Sequence, residues 1–503
     1  MADDREFDRM MEEELSALPP PDSLVREVTP WRRAMRRIVW GIGLTTLTLN
    51  FWYLDYLLPA IGVVLLFLGF RTLRRENRWF FICWLVSLCD LAACFLERVL
   101  DATIWADVLL PLPLWSGMTA LGLVQTFCLW KGIRAVRRAA GQEDRAKAAA
   151  ALLAFQSLLV ALGVLGGGTL QLHGLFFLAV FLTIYLCVMR SLSRLPALLD
   201  GAGYGVRAAP ARLPEQGVWI AWFALLAAGI LLAGALWCRY PMEWTPVEAE
   251  EQAGLEEIRA RLLELGMPEQ VADDLAPQDL AQMEGALSVT THVSQHPFHE
   301  GRPEYYMVGT ERRYNTVYDV KELRMSNIAV ELPGGHWRIL HHFLWQADPG
   351  LRTTECIKLW TTAKSMKGWR MEGEITGRLL YDWQGTTYTG DYYQIITGHY
   401  TYDSLFWGET ESADPFALFS LPRQGERCRG YLTYGVEEGQ IREILDSWSH
   451  YTHQVEWLNY PAITAHEHSV FGIWNGVGPF RTVETAVQFY PWDETEKGTY
   501  QEW

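Results

Sequence analysis

Asp90 is a carboxylate inside an otherwise apolar stretch of this 503-residue chain, and Asn50, Gln125 and Gln156 are the amides that share such surroundings. An ionisable group in hydrocarbon costs several kcal/mol, so it marks either an ion or proton site or a hydrogen-bonded tie between helices. Histidine gathers at the other end. Of 12, all but His173 follow residue 240, with His292, His296 and His299 in one group and His466-Glu467-His468 in another. Two histidines at i and i+2 of a strand share a face, so His466 and His468 are the candidate metal pair. No His-Glu-x-x-His pattern accompanies them, and no metal or other cofactor is expected.

Cys356 and Cys428 are the cysteines of the C-terminal half, and a disulfide between them is chemically permitted outside the cell. The other six scatter through apolar stretches without metal-like spacing and read as small buried hydrophobes. Tryptophan is abundant after residue 240, Trp337, Trp345, Trp360 and Trp383 among the examples. Such rings suit both a strand-rich core and stacking on sugars. No Gly-x-Ser-x-Gly elbow, phosphate-binding loop, kinase signature or zincin motif occurs, and nothing in the order of residues pairs two carboxylates for glycoside chemistry.

The elements that must position these residues fall into two unlike halves. Residues 1–240 carry 23 Lys+Arg against 19 Asp+Glu, and residues 241–503 carry 20 against 40. The acidic half is unsuited to nucleic acid, whose binding depends on cations at phosphates. Residues 1–37 form an acidic then basic hydrophilic tail, in which 6–15 has the pattern of one amphipathic helix. About seven apolar segments follow, at 38–54, 56–71, 79–96, 108–130, 148–166, 171–189 and 217–238, the first two forming a short or re-entrant hairpin. Basic clusters at 71–78, 131–147 and 190–212 then share one side with the basic end of the tail, and acidic or uncharged links take the other. Arginine-rich segments resist translocation, so this parity places the N-terminus in the cytoplasm and the C-terminal half outside.

The run Trp31-Arg32-Arg33-Ala34-Met35-Arg36-Arg37, then Trp40-Gly41, Leu57-Leu58-Pro59-Ala60-Ile61-Gly62 and Leu68-Gly69-Phe70-Arg71-Thr72-Leu73-Arg74-Arg75-Glu76-Asn77, resembles an uncharacterised group of multi-pass membrane proteins of Gram-positive gut bacteria. The resemblance covers about 60 residues. It implies a bacterial plasma membrane and carries no activity or binding residue.

Residues 239–286 read as short juxtamembrane helices, with Gly266 as a cap and Pro268 and Pro277 as openers. From 287 to 503 period-two alternation predicts a mostly-β domain, sandwich- or barrel-like. Its clearest hairpin is 328–332 and 336–346 about Pro333-Gly334-Gly335, and Glu437–Trp448 reads as one inserted helix. The expected whole is a membrane helical bundle with an extracytoplasmic β domain. Three functions stay open. The first is a non-enzymatic envelope protein, embedded in the lipid bilayer, whose outer domain binds a wall glycan, peptide or protein. The second is a transporter or intramembrane enzyme using Asp90, and the third an outer metal-dependent hydrolase.

Overall fold

The computed structural model describes residues 30–46, 53–105, 112–143, 146–165, 174–202, 209, 213–247, 255–298, 301–309, 311–363, 368–397, 400–404, 408–412, 414–470, 478–493 and 495–501. The 6–15 helix, Asn50, the 166–168 link and His299 lie outside these residues. The chain divides into two compact units, one of residues 1–101 and 105–233, the other of 102–104 and 234–503.

Among the described residues seven helices precede residue 238: α1 Pro30–Thr46, α2 Leu54–Leu73, α3 Arg78–Leu100, α4 Leu112–Ala139, α5 Lys147–Leu165, α6 Gly174–Gly201 and α7 Glu215–Trp237. Four are long and apolar enough to cross a membrane: α2, α3, the Leu182–Leu199 part of α6, and α7. Helix α1 departs from the expected 38–54 segment. It begins at Pro30, whose missing N–H suits a first helical position, and so takes in Arg32, Arg33, Arg36 and Arg37. Its buried stripe is Trp31, Ala34, Met35, Ile38 and Ile42, the i, i+3, i+4 spacing of one apolar face, so the arginines ride on the other.

Helices α1 and α2 approach closely through small residues. A Cβ on Gly62 would lie 3.0 Å from the Gly41 carbonyl oxygen, and one on Gly41 2.9 Å from that of Gly62. Small residues at such crossings let helix backbones touch.

The second unit is mostly β. Three short helices, α8 Glu256–Glu264, α9 Glu269–Asp274 and α10 Pro277–Ala281, follow strand β1 Thr245–Pro246. The strands after them are β2 Ser288–His296, β3 Arg302–Val308, β4 Glu311–Val317, β5 Leu323–Leu332, β6 His336–Trp345, β7 Glu355–Trp360, β8 Arg370–Trp383, β9 Thr386–Gly390, β10 Gln394–Ile396, β11 Tyr400–Ser404, β12 Gly408–Ser412, β13 Phe416–Phe419, β14 Glu426–Glu437, β15 Leu445–Gln454, β16 Phe480–Phe489 and β17 Thr499–Gln501. Helix α11 Ala465–Val470 lies between β15 and β16. An eight-stranded sheet runs β1-β9-β8-β14-β6-β5-β2-β17 and a five-stranded sheet β10-β13-β7-β15-β16, with β3–β4 and β11–β12 as separate ribbons.

Alternation explains the layers. On β6, Trp337, Ile339, Phe343 and Trp345 join Ile357, Leu359, Tyr451 and Val487 of the smaller sheet in one core, so the two sheets pack as a sandwich. Leu340 of β6 points the other way. With Ile328, Val330 and Tyr431 it meets Leu262, Val271, Leu275 and Leu280 of the three-helix layer.

Two local expectations are corrected. Glu437–Trp448 is no helix: β14 ends at Glu437, an irregular link follows, and Leu445–Trp448 begins β15, paired with Trp360 on one side and Phe489 to Ala486 on the other. The apolar residues of that stretch satisfied a helical period, but Ser447, Ser449 and Tyr451 alternate inward as a strand requires. The strand expected to carry His466 and His468 is a helix instead, Ala465–Val470. Thr464 and Glu467 form a reciprocal capping box there, the Glu467 N–H donating to the Thr464 hydroxyl at 3.2 Å and the Thr464 N–H to the Glu467 carboxylate.

Candidate functional site

Within the first unit, Asp90 of α3 accepts from the Gln125 side-chain amide of α4 at 2.9 Å. The next residue, Thr126, donates to Gln156 Oε1 of α5 at 2.5 Å. Three successive helices are thus joined by two side-chain hydrogen bonds. That is the arrangement of polar ties between helices in an apolar surrounding.

The candidate pair His466 and His468 is not brought together on one face. His466 and His468 stand on α11, where residues two apart point to different sides. His466 packs edge-on to Phe416 and His468 against Phe480, so each ring meets a different aromatic. Among the described residues no three His, Cys, Asp or Glu side chains are grouped to hold a metal ion. Cys356 and Cys428 are free, buried thiols on strands of different sheets. Burial pushes the Cys428 thiol up to about 11.

A large, mostly polar concavity lies at one end of the three central strands of the larger sheet. It is a cleft of about 820 Å³ built from three chain segments: Gln346–Pro349 with Arg352 after β6, Asp382–Gly385 at the β8–β9 turn, and Gly425–Cys428 at the start of β14. Strands β6, β8 and β14 are neighbours, so antiparallel pairing brings the end of β6, the end of β8 and the start of β14 to the same edge.

Local chemistry fixes each segment. Gln384 and Gly385 adopt positive φ of 53° and 81°, the left-handed pair that closes a two-residue hairpin between Trp383 and Thr386. Gly425 sits at φ 112°, and a Cβ there would lie 2.3 Å from the Tyr381 ring, so this turn admits only glycine. After it the register of β14 against β8 shifts between Glu426 and Arg429. Arg427 occupies that bulge at φ 49°, a conformation uncommon outside glycine. Bulges re-aim side chains and concentrate at functional edges.

A buried ionic network lies under the cleft. Arg429 donates to Asp382 Oδ1 at 3.0 Å and to Asp274 Oδ1 at 2.8 Å. Asp274 also meets His342 Nε2 at 2.9 Å and the Gln270 amide at 3.1 Å. Burial alone would raise the Asp274 carboxyl, but the His342 and Arg429 contacts outweigh it and hold the group below its ordinary value. Asp382 further accepts from the Thr387 hydroxyl at 2.9 Å. The carboxylate in the cleft wall is therefore held from two directions while part of it stays open to solvent.

Loop 346–354 is anchored in the same way. Asp348 accepts from the Gly350 N–H at 3.1 Å and from Arg352 at 3.2 Å, and the first of these leads in holding it below the ordinary carboxylate value. Arg352 also donates to the carbonyls of Pro422 and Gly425, each at 2.9 Å. Pro349 O faces His453 Nε2 at 3.0 Å, while His453 Nδ1 meets Glu355 at 2.8 Å. A carbonyl only accepts, so Nε2 carries a proton and the other nitrogen shares one with the buried Glu355.

Trp383 completes the wall, 37 % exposed and 6.3 Å from the Tyr388 ring. Comparison with protein-family models, with curated proteins and with solved structures returned no match for this chain. The cleft's chemistry must then be read from its own side chains. One exposed indole, two primary amides (Gln346, Gln384), three carboxylates (Asp348, Asp382, Glu426) and two guanidinium groups (Arg352, Arg427) surround it.

None of these residues is singled out by sequence motif. They come from three segments well separated in the chain, at 346–352, 382–385 and 425–428. The one local signal was the turn Gln384-Gly385 after Tyr381-Asp382-Trp383. Another large cavity, about 560 Å³ in the first unit, is lined mainly by Ala, Val and Leu of α4–α6 and offers fewer polar groups.

Proposed function

We propose that the chain is a multi-pass protein of a bacterial plasma membrane, with its N-terminus in the cytoplasm and a non-enzymatic outer β domain that binds cell-envelope glycan in the 346–349, 382–385 and 425–428 cleft. The observation that carries this reading is the composition of the cleft wall, an exposed indole beside two amides and beside carboxylates of which Asp348 and Asp382 are held by neighbours. A sugar ring offers a C–H face to an aromatic and hydroxyl pairs to planar acceptors and donors. Fixed polar groups in a concavity of this size are what orientation of such a ligand requires. Four helices able to cross a membrane and the basic distribution of loops support the topology. The hydrogen-bonded state of Asp90 favours a tie between helices over a transport site.

The test is co-sedimentation of the detergent-solubilised full chain with insoluble wall glycan. The wild type is expected to sediment, and Trp383→Ala to weaken binding about tenfold, the loss of roughly 1.5 kcal/mol of stacking. Absence of wild-type binding, or equal binding by the variant, would overturn the reading.

A further inference from the structure

Beside the glycan cleft lies another cavity of the same unit, of about 520 Å³, bounded by Cys238, Arg239, Asp348, Arg352, Arg423 and Gln424. It shares Asp348 and Arg352 with the cleft, so the two are contiguous across that ion pair. Three guanidinium groups and one carboxylate line it, and Arg352 and Arg423 come from the 241–503 half, which carries 20 Lys+Arg against 40 Asp+Glu.

Among the described residues only Arg352 of these three pairs with one of the protein's own carboxylates, Asp348 at 3.2 Å. Arg352 is fixed by the carbonyls of Pro422 and Gly425 and by Asp348. Arg239 donates to the Leu421 carbonyl and has no carboxylate partner among the described residues. Burial, and next the charge of Arg423, disfavour its cationic form. Arg423 is exposed, without an ion pair or hydrogen bond among the described residues. Like charges gathered in a concavity repel unless an anion joins them. Guanidinium forks match the oxygens of a phosphate, and a phosphate offers enough acceptors for three of them where a carboxylate offers two oxygens.

We propose that the Arg239, Arg352 and Arg423 pocket binds the phosphate of a phosphate-bearing sugar whose ring occupies the adjoining cleft, an inference that rests on the glycan reading above. The phosphate's source is either a phosphodiester-linked envelope glycan or the headgroup of a lipid, since Arg239 follows the end of α7 at Trp237 by two residues.

The test uses the full chain in detergent micelles and measures calorimetric binding of N-acetylglucosamine, N-acetylglucosamine 1-phosphate and inorganic phosphate. It is repeated in vesicles of phosphatidylcholine with or without phosphatidylglycerol. The phosphorylated sugar should bind about tenfold more tightly than the sugar, with the gap narrowing as salt rises and collapsing in Arg423→Gln. Equal affinity for the two sugars, or an unchanged gap in Arg423→Gln, overturns the proposal. Binding of inorganic phosphate that is sensitive to Arg423, with neither sugar bound, overturns the glycan reading and leaves the phosphate pocket standing. Arg423-dependent binding only to phosphatidylglycerol vesicles assigns the phosphate to lipid and overturns the sugar linkage.

Discussion

His341 is enclosed by the sandwich core with both ring nitrogens engaged, Nδ1 to Asn327 Oδ1 at 2.6 Å and Nε2 to Ser447 at 2.8 Å. Asn327 donates through Nδ2 to Thr485 at 2.8 Å, which leaves its Oδ1 to accept the Nδ1 proton, so His341 Nε2 accepts from the Ser447 hydroxyl. Tyr434 donates in turn to Ser447 at 2.7 Å. Every member is satisfied, so this chain of polar groups fixes the relative position of two sheets without an orphaned donor. Burial lowers His341 to about 3. Above the ordinary value of 6.5 both folded and unfolded forms are neutral. As pH falls from 6.5 towards 3 only the unfolded form takes the proton, and stability drops by about 1.4 kcal/mol per pH unit from this group. Denaturant unfolding of the detergent-solubilised chain should therefore show a shallower acid slope in His341→Gln than in the wild type, and identical slopes would contradict the assignment. Asp274 acts in the same direction at lower pH, since its depressed carboxyl contributes above its ordinary value and loses that contribution as pH falls through the folded one.

At the scale of elements, the same Asp274 ends α9 and clamps the helical layer to β6 and β14 through His342 and Arg429. Removing one partner from a buried ionic set leaves the others uncompensated, so Asp274→Ala should cost about 3–5 kcal/mol. Limited proteolysis should then cut within 256–281 first; retention of wild-type resistance would show that apolar contacts alone hold the layer. In the first unit Gly62 sits against the α1 backbone, with Gly41 O and Thr45 N at 3.0 and 3.1 Å from the place a Cβ would occupy. Gly62→Leu should force α1 and α2 apart at a cost of about 1–3 kcal/mol, read as a lowered melting temperature in micelles.

Elements differed in how far the sequence announced them. The β5–β6 hairpin was legible because alternation and a Pro-Gly-Gly turn agree. Helix α11 carries its capping box, Thr464 to Glu467, in plain sequence. The His-x-His spacing drew the reading towards a strand. The cleft was not legible, since long-range pairing of β6, β8 and β14 assembles it. The arginine pocket likewise joins Arg239, Arg352 and Arg423, no two of them near in sequence.

For the whole molecule, the separation of charge between the two halves is the observation that the proposed orientation uses. Protease added to intact cells should digest the chain beyond Trp244 and spare the basic 131–147 stretch; the reverse pattern would invert the topology and remove the glycan proposal with it. Hydrogen–deuterium exchange of the intact protein with and without soluble wall-glycan fragments tests whether the three-segment cleft takes envelope glycan. Slowed exchange confined to 346–352, 382–385 and 425–428 is the predicted result. Unchanged exchange there, or protection confined to other parts of the chain, would contradict it.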